Sequence, residues 1–364
     1  MTSFNVEELT IPSTVYDDDA ADFVESVVVR NAVETAGYGT PDLAYTPAEV
    51  LPGWLDTEHS PRRLFGVRVD GKIVSRGMYE RGTAADARVA WAVVEVLPEY
   101  RGRGIGSAVA DRIEQIARLD RRQRLLVYVV SPGSDGGPDG PGERLVPPTG
   151  FGSLPAANPE VRFLTARGFR LEQIERASRL ALPLDEHELR GLVAAASIAS
   201  GLDYVVHSWI DHTPEEWRDD VARMYTRMST DAPSAGLDEP EDVWTTERLL
   251  ESERRNEADP RSMLTVAAEH RPSGRLVGYS QLSVPPEPDR AVIQDDTLVL
   301  REHRGHRLGM LLKVANLAAL QHKRPGHPSV ITFNAEENRH MLRVNEELGF
   351  VPIGYEGAWR KDLL

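Results

Sequence analysis

The stretch that most constrains the fold is Leu97 to Ala108, LPEYRGRGIGSA. An apolar run, Val89 to Val96, leads into it and reads as a buried central strand. Ile105, Ala108, Val109, Ile113 and Ile116 lead out of it at helical spacing, with Asp111, Arg112, Glu114 and Arg118 on the opposite face. Between strand and helix, Arg101-Gly102-Arg103-Gly104-Ile105-Gly106 gives the pattern Arg/Gln-x-x-Gly-x-Gly/Ala. A glycine-rich turn at a helix start presents unpaired backbone N–H groups, and the helix dipole adds partial positive charge there. Glycines also let the backbone approach phosphates closely, so the stretch suits an anionic pyrophosphate. A dinucleotide fold would carry Gly-x-Gly-x-x-Gly after its first strand. This loop follows a third strand, which excludes that reading.

A weaker relative of the loop, Arg304-Gly305-His306-Arg307-Leu308-Gly309, follows the Ala291 to Leu300 strand and opens a helix over Arg307 to His322. Arg101 and Arg304 stand 304 − 101 = 203 residues apart, a spacing that suits a duplicated domain. Each half reads as helices, hairpin, central strand, loop and helix, strand, helix, Gly-Phe, strand. The hairpins turn at Asp70-Gly71 and Ser273-Gly274. The spacing predicts an α/β chain with a domain over 1–182, a helical connection over 183–200 and a second domain over 201–364. A length of 364 residues fits two cores. Ser131 to Pro159, rich in Gly and Pro, fits no regular element and reads as a loop that shapes or covers the first site. Asn158-Pro159 starts the next helix as N-cap and N1.

Composition narrows the chemistry. There is no cysteine, which removes disulfides, thiolate metal sites and a cysteine nucleophile. The histidines show no metal-binding spacing, so no metal is expected. A formal charge of −15 is a poor footprint for nucleic acid. It is compatible with steering a cationic amine, although solubility alone accounts for it. With no apolar run long enough to span a bilayer and no signal-like start, a cytoplasmic protein without a membrane partner is expected.

Both loops with their flanks resemble the acetyl-CoA-binding segment of the GNAT (GCN5-related) acetyltransferase superfamily. The tandem layout is similar to the mycothiol synthase group and related actinobacterial-type acetyltransferases. The resemblance implies two mixed, mostly antiparallel sheets flanked by helices, each with a splayed central strand pair that admits acetyl-pantetheine. It implies acetyl-CoA as acyl donor, held in the first half by Val94, Val96, Arg101, Gly102, Arg103, Gly104, Ile105, Gly106, Ser107 and Asn158. In the second half the matching positions are Val299, Arg304, Gly305, His306, Arg307, Leu308, Gly309 and Asn338. Arg307 stands where the first motif glycine belongs; its side chain would crowd the cofactor or reach a phosphate. The tyrosine that often protonates the departing thiolate, four residues before the Gly-Phe glycine, is replaced by Leu164 and Asn345.

Acetyl transfer to an amine needs a proton acceptor, charge stabilisation on the carbonyl and departure of the thiolate. A backbone N–H near Val96 or Val299 is the expected carbonyl donor. Glu95 is the acid at the site end of the first central strand; the alternative is a surface carboxylate. In the second half Gln294-Asp295-Asp296-Thr297 interrupts an apolar strand, as functional sites do, or forms a solvated edge. Strand alternation predicts that Asp295 and Asp296 point to opposite faces. Asn345 could donate a hydrogen bond to the thiolate. His303 and His306 touch a phosphate or are simply exposed. The expected activity is transfer of acetyl to a primary amine of a small molecule in a ternary complex, by a monomer or homodimer. The alternative is a non-catalytic acyl-CoA-binding protein.

Overall fold

The computed structural model describes residues 4–82, 88–133, 142–231, 233–237 and 240–363. In chain order the elements are β1 (Glu7–Leu9), α1 (Ala21–Tyr38), α2 (Pro47–Trp54), β2 (Arg62–Val69), β3 (Lys72–Arg81), β4 (Val89–Val96), α3 (Ile105–Leu119) and β5 (Arg124–Val130). Then come β6 (Arg144–Leu145), β7 (Leu154–Pro155), α4 (Pro159–Ala166), β8 (Arg170–Ala181), α5 (Glu186–Ser200), β9 (Tyr204–Ile210), α6 (Arg218–Asp231) and α7 (Thr246–Asn256). The chain closes with β10 (Ser262–His270), β11 (Arg275–Val284), β12 (Val292–Val299), α8 (Leu308–Lys323), β13 (Ser329–Ala335), α9 (Arg339–Glu347) and β14 (Val351–Asp362).

Two compact units result. Unit 1 comprises Met1–Arg176, Ser234–Glu239 and Gly354–Leu364; unit 2 comprises Ala177–Pro233 and Pro240–Ile353. The division differs from contiguous halves at 182 and 201, because residues 354–364 complete unit 1. There β14 pairs antiparallel with β5, from Glu356↔Val130 to Asp362↔Arg124.

In unit 1 the strand order is β1-β2-β3-β4-β5-β14. The β2–β3 turn has Asp70 at φ 51° and Gly71 at φ 82°, both left-handed as a two-residue hairpin requires. Helix α2 starts with a capping box, in which the Thr46 hydroxyl accepts from Glu49 N–H and the Glu49 carboxylate accepts from Thr46 N–H. Phe23, Phe65, Ile73, Val109, Leu154 and Ile174 lie fully buried in its core. Part of the Gly/Pro-rich stretch is ordered after all: β6 and β7 pair as a short ribbon. Residues 134–141 of that expected covering loop lie outside the described residues.

Unit 2 has the order β13-β12-β11-β10-β9, with Met224, Ala267, Leu276, Val292, Leu312, Val314 and Val330 in its core. Both units are mixed α/β with one parallel contact in an otherwise antiparallel sheet: β4–β5 in one and β12–β13 in the other. Among the described residues no helix is long and apolar enough to cross a membrane. Gly278 on β11 shows how tightly unit 2 is packed, since a Cβ there would lie 2.8 Å from Leu298 O and 3.2 Å from Leu312 Cδ1. Because one of those neighbours is backbone, Gly278→Ala is expected to cost about 1–3 kcal/mol of stability, measured by urea unfolding.

Candidate active site

Each unit builds its site from a pair of parallel strands that part. In unit 1, β4 and β5 pair only from Val89↔Arg124 to Ala92↔Val127. In unit 2, β12 and β13 pair only from Val292↔Val330 to Gln294↔Thr332. Beyond those points the inner edges of β4 and β12 have no ladder partner. On their other sides, Leu97 N–H donates to Val74 O and Leu300 N–H to Val277 O. Antiparallel alternation therefore turns the N–H groups of Val96 and Val299 toward the gap.

The loops that follow are superimposable in their hydrogen bonding. Tyr100 N–H donates to Leu97 O and His303 N–H to Leu300 O; Ala108 N–H donates to Gly104 O and Leu311 N–H to Arg307 O. Arg101 Nε and Arg304 Nε each donate to the carbonyl of the last strand residue, Val96 O and Val299 O, at 3.0 Å. Gly102 (φ 74°) matches Gly305 (φ 90°), and Gly104 (φ 91°) matches Arg307 (φ 52°). Arg307 thus adopts the left-handed N-cap conformation that the glycine holds, and its guanidinium turns aside to Glu347 Oε2 at 2.8 Å. It neither fills the groove nor stands free for a phosphate.

Residues 25–134 match the model of the acetyltransferase (GNAT) family. A tandem GNAT protein from the clavulanic acid biosynthesis pathway, solved without AcCoA, superimposes with a TM-score of 0.71 at 23% identity, covering 99% of this chain and 99% of that one. The chain has a tandem GNAT-like fold. A GCN5-related N-acetyltransferase from Sphaerobacter thermophilus gives 0.60 at 16% identity, covering 99% and 96%. Saccharomyces cerevisiae N-myristoyltransferase with bound myristoyl-CoA gives 0.55 at 11% identity, covering 100% and 80%. No curated protein matches the sequence. The family matched over residues 25–134 is one of acetyltransferases.

The gaps of the two units differ in their surroundings. In unit 1 a cavity of about 60 Å³ lies between β4, β5 and α4, walled by Val94, Val129, Phe163 and Leu164. A Cβ added at Gly106 would touch Val96 and the Phe163 ring. In unit 2 a groove of about 650 Å³ runs along the loop and is lined by Val299, Arg304, Gly305, Arg307, Leu308, Gly309 and Asn338, among others. A Cβ at Gly309 would meet nothing within 4 Å. Asp231, at the end of α6, gathers the loop's charge: Arg301 Nε lies 3.0 Å and Arg304 Nη2 2.9 Å from its carboxylate. The groove therefore offers open glycine backbone at the start of α8 and the Arg304 guanidinium, a set that fits a pyrophosphate.

A second cavity of unit 2, about 700 Å³, lies on the other face of β12. Its walls carry Asp211, Asp242, Glu253, Glu257, Asp259, Asp295 and Asp296 against a single arginine, Arg261, with Trp209, Tyr225 and Trp244 as aromatic surface. Met228 lines both cavities, and Thr297, next to Asp296, lines the groove.

Asp295 and Asp296 do not point to opposite faces, contrary to simple alternation. Ser280 pairs with Thr297 while Leu282 pairs with Gln294, so β12 carries one residue more than β11 between these rungs. That bulge turns both carboxylates into the acidic cavity. The surrounding walls and then Asp296 raise Asp295 to about 7, with Arg261 opposing; Asp296 is also raised, by burial, and accepts from Tyr279 OH at 3.3 Å.

Other expected site residues are engaged as follows. Glu95 is buried and ion-paired with Arg76 at 2.7 Å, and that guanidinium lies over Trp54. Asn345 faces inward, donating to Asn334 Oδ1 at 2.6 Å, and is not on the groove wall. His306 packs against Tyr204, and His303 Nδ1 lies 3.0 Å from Tyr204 OH. Arg103 folds back to Glu99 O and over the Tyr100 ring. Asn158 occupies the N-cap position without capping; its Nδ2 donates to Ser131 Oγ and Pro132 O. Asn338 does cap α9, accepting from Met341 N–H.

Sequence reading missed Tyr225, Arg261, Trp244 and Asp231, because they come from segments remote from either motif. Arg76→Met is expected to strand the buried Glu95 charge and cost unit 1 about 3–5 kcal/mol in urea unfolding. Adding Glu95→Gln should recover much of that loss.

Proposed function

We propose that the protein is an N-acetyltransferase that moves acetyl from acetyl-CoA to a primary amine of a small cationic molecule, with the chemistry in unit 2. One observation carries this reading: an acidic cavity and a phosphate-type groove abut across the same bulged strand, β12. A protonated amine is drawn into the acidic cavity, where the aromatic walls add favourable contacts with a cation. Asp295, poised near neutrality, accepts one ammonium proton and leaves a nucleophilic nitrogen. The nitrogen lone pair forms the C–N bond at the thioester carbonyl while Val299 N–H, facing the gap, donates to the developing oxyanion. The C–S bond then breaks, and the leaving thiolate takes the second proton shed by nitrogen. A thiolate is a tolerable leaving group, so no tyrosine is required in the place of Asn345.

Two measurements test this. Calorimetric titration of acetyl-CoA should show binding lost in Gly309→Trp, which projects a ring into the groove. Loss in Gly104→Trp instead, with Gly309→Trp intact, would place the donor in unit 1 and overturn the assignment. With a panel of diamines, polyamines and amino sugars, CoA release should give a kcat/KM that rises with pH through about 7, as Asp295 loses its proton. Asp295→Asn should lower kcat/KM by about 100-fold or more. Asp296→Asn should shift the acid limb to lower pH, since removing a like charge favours ionisation of Asp295.

A further inference from the structure

Two neighbouring carboxylates can share one face of β12 only if the strand is held out of register behind them. In a regular strand Gln294 and Thr297, three positions apart, would point to opposite faces. Here Gln294 Nε2 donates to Ser280 Oγ at 2.7 Å and to Thr297 Oγ1 at 3.0 Å. The Ser280 and Thr297 hydroxyls share a further bond at 3.0 Å. The fourth member comes from α8, where Lys313 Nζ donates to Gln294 Oε1 at 2.8 Å.

Lys313 is only 2% exposed and lies among Leu312, Val314 and Leu317 on the same helix, with its Nζ 5.6 Å from the Phe350 ring centroid. Among the described residues no carboxylate forms a salt bridge with it. A buried amine without a counter-ion is costly, whereas leucine or methionine would fill the same space freely. The cost is met at one specific place, the amide that closes the bulge.

We infer that Lys313 is a positioning residue: through Gln294 it locks the Ser280–Thr297 cluster behind the β12 bulge and so turns Asp295 and Asp296 together into the acidic cavity. Burial pushes Lys313 down to about 7. Both the ammonium and the neutral amine carry an N–H for Gln294, so the clamp holds on either side of neutrality. The clamp itself follows from the β12 geometry; only its catalytic meaning rests on the proposed acceptor site.

The test reads the carboxylate directly and needs no substrate. Full-length protein labelled with ¹³C at aspartate carboxyl carbons is titrated by NMR, and the Asp295 resonance is identified by its absence in Asp295→Asn. The charged and titratable groups facing it are Asp296 and Tyr279, Asp259 and Arg261, and Tyr225 with Glu253 beyond. All are retained in the variants. In Lys313→Met and Thr297→Val the strand is expected to relax and separate the two carboxylates, lowering the Asp295 midpoint by about one pH unit or more. Thr297→Ser, which keeps the hydroxyl, should hold the wild-type midpoint. Should Lys313→Met fail to fold, the near-isosteric Thr297→Val decides. An unchanged midpoint in folded Thr297→Val overturns the inference. Failure of acetyl transfer in wild type would overturn the proposed function and leave this titration readable.

Discussion

The architecture depends on two parallel strands that stop pairing. Once β4 leaves β5, and β12 leaves β13, the backbone groups on their inner edges need partners that no ladder supplies. The chain meets part of that need itself, because Arg101 and Arg304 reach back to the exposed carbonyls of Val96 and Val299 at the same 3.0 Å. The first residue of the loop motif is therefore a brace for the open edge as well as a source of positive charge. Removing a guanidinium donor from such a carbonyl leaves an acceptor at the mouth of the gap, where water or a ligand must replace it. The pairing of strand end and arginine explains why motif and splay occur together in both units.

Duplication preserved this frame and changed its contents. Val94 of β4 corresponds to Thr297 of β12 and Ala92 to Gln294, yet one residue lies between Ala92 and Val94 and two between Gln294 and Thr297. That single additional residue separates a regular strand bearing Val93 from a bulged one bearing two acids. Unit 1 uses the same face to bury an Arg76–Glu95 pair over Trp54. Nearby on that face Glu34 and Glu356 are each raised to about 7, by burial first and then by neighbouring carboxylates. Phe163 closes the gap on the opposite side, where unit 2 has Val344.

Local features were legible in the sequence, and assembled ones were not. Helix α2, the two hairpins, the loops and the helices they open follow from short-range patterns: apolar spacing, turn residues and glycines. The duplication was visible from Arg101 and Arg304 alone. The polar run Gln294 to Thr297 was also visible as an anomaly, but alternation assigned its two acids to opposite faces. A bulge is set by the partner strand and by what clamps it, here Ser280 on β11 and Lys313 on α8. Lys313 left a fainter trace: a lone charge inside the apolar string Leu311-Leu312-Lys313-Val314, which reads as an interruption until burial is known. The acidic cavity left none, since its walls are drawn from positions between Trp209 and Asp296.

The contrast between the loops argues against equating motif strength with function. The first loop keeps both motif glycines, with Val96 and Phe163 standing over Gly106; the second has lost one, yet the space over Gly309 is open. Holding Arg307 at φ 52° is unfavourable for a residue with a Cβ, by about 1–2 kcal/mol. Yet the conformation is retained, and the side chain is fastened to Glu347 on α9. A backbone geometry kept against its local preference marks a constraint that the sequence pattern alone understates. What the loop must preserve is the direction of its amides at the start of α8, and a left-handed arginine tied to α9 preserves it as a glycine does.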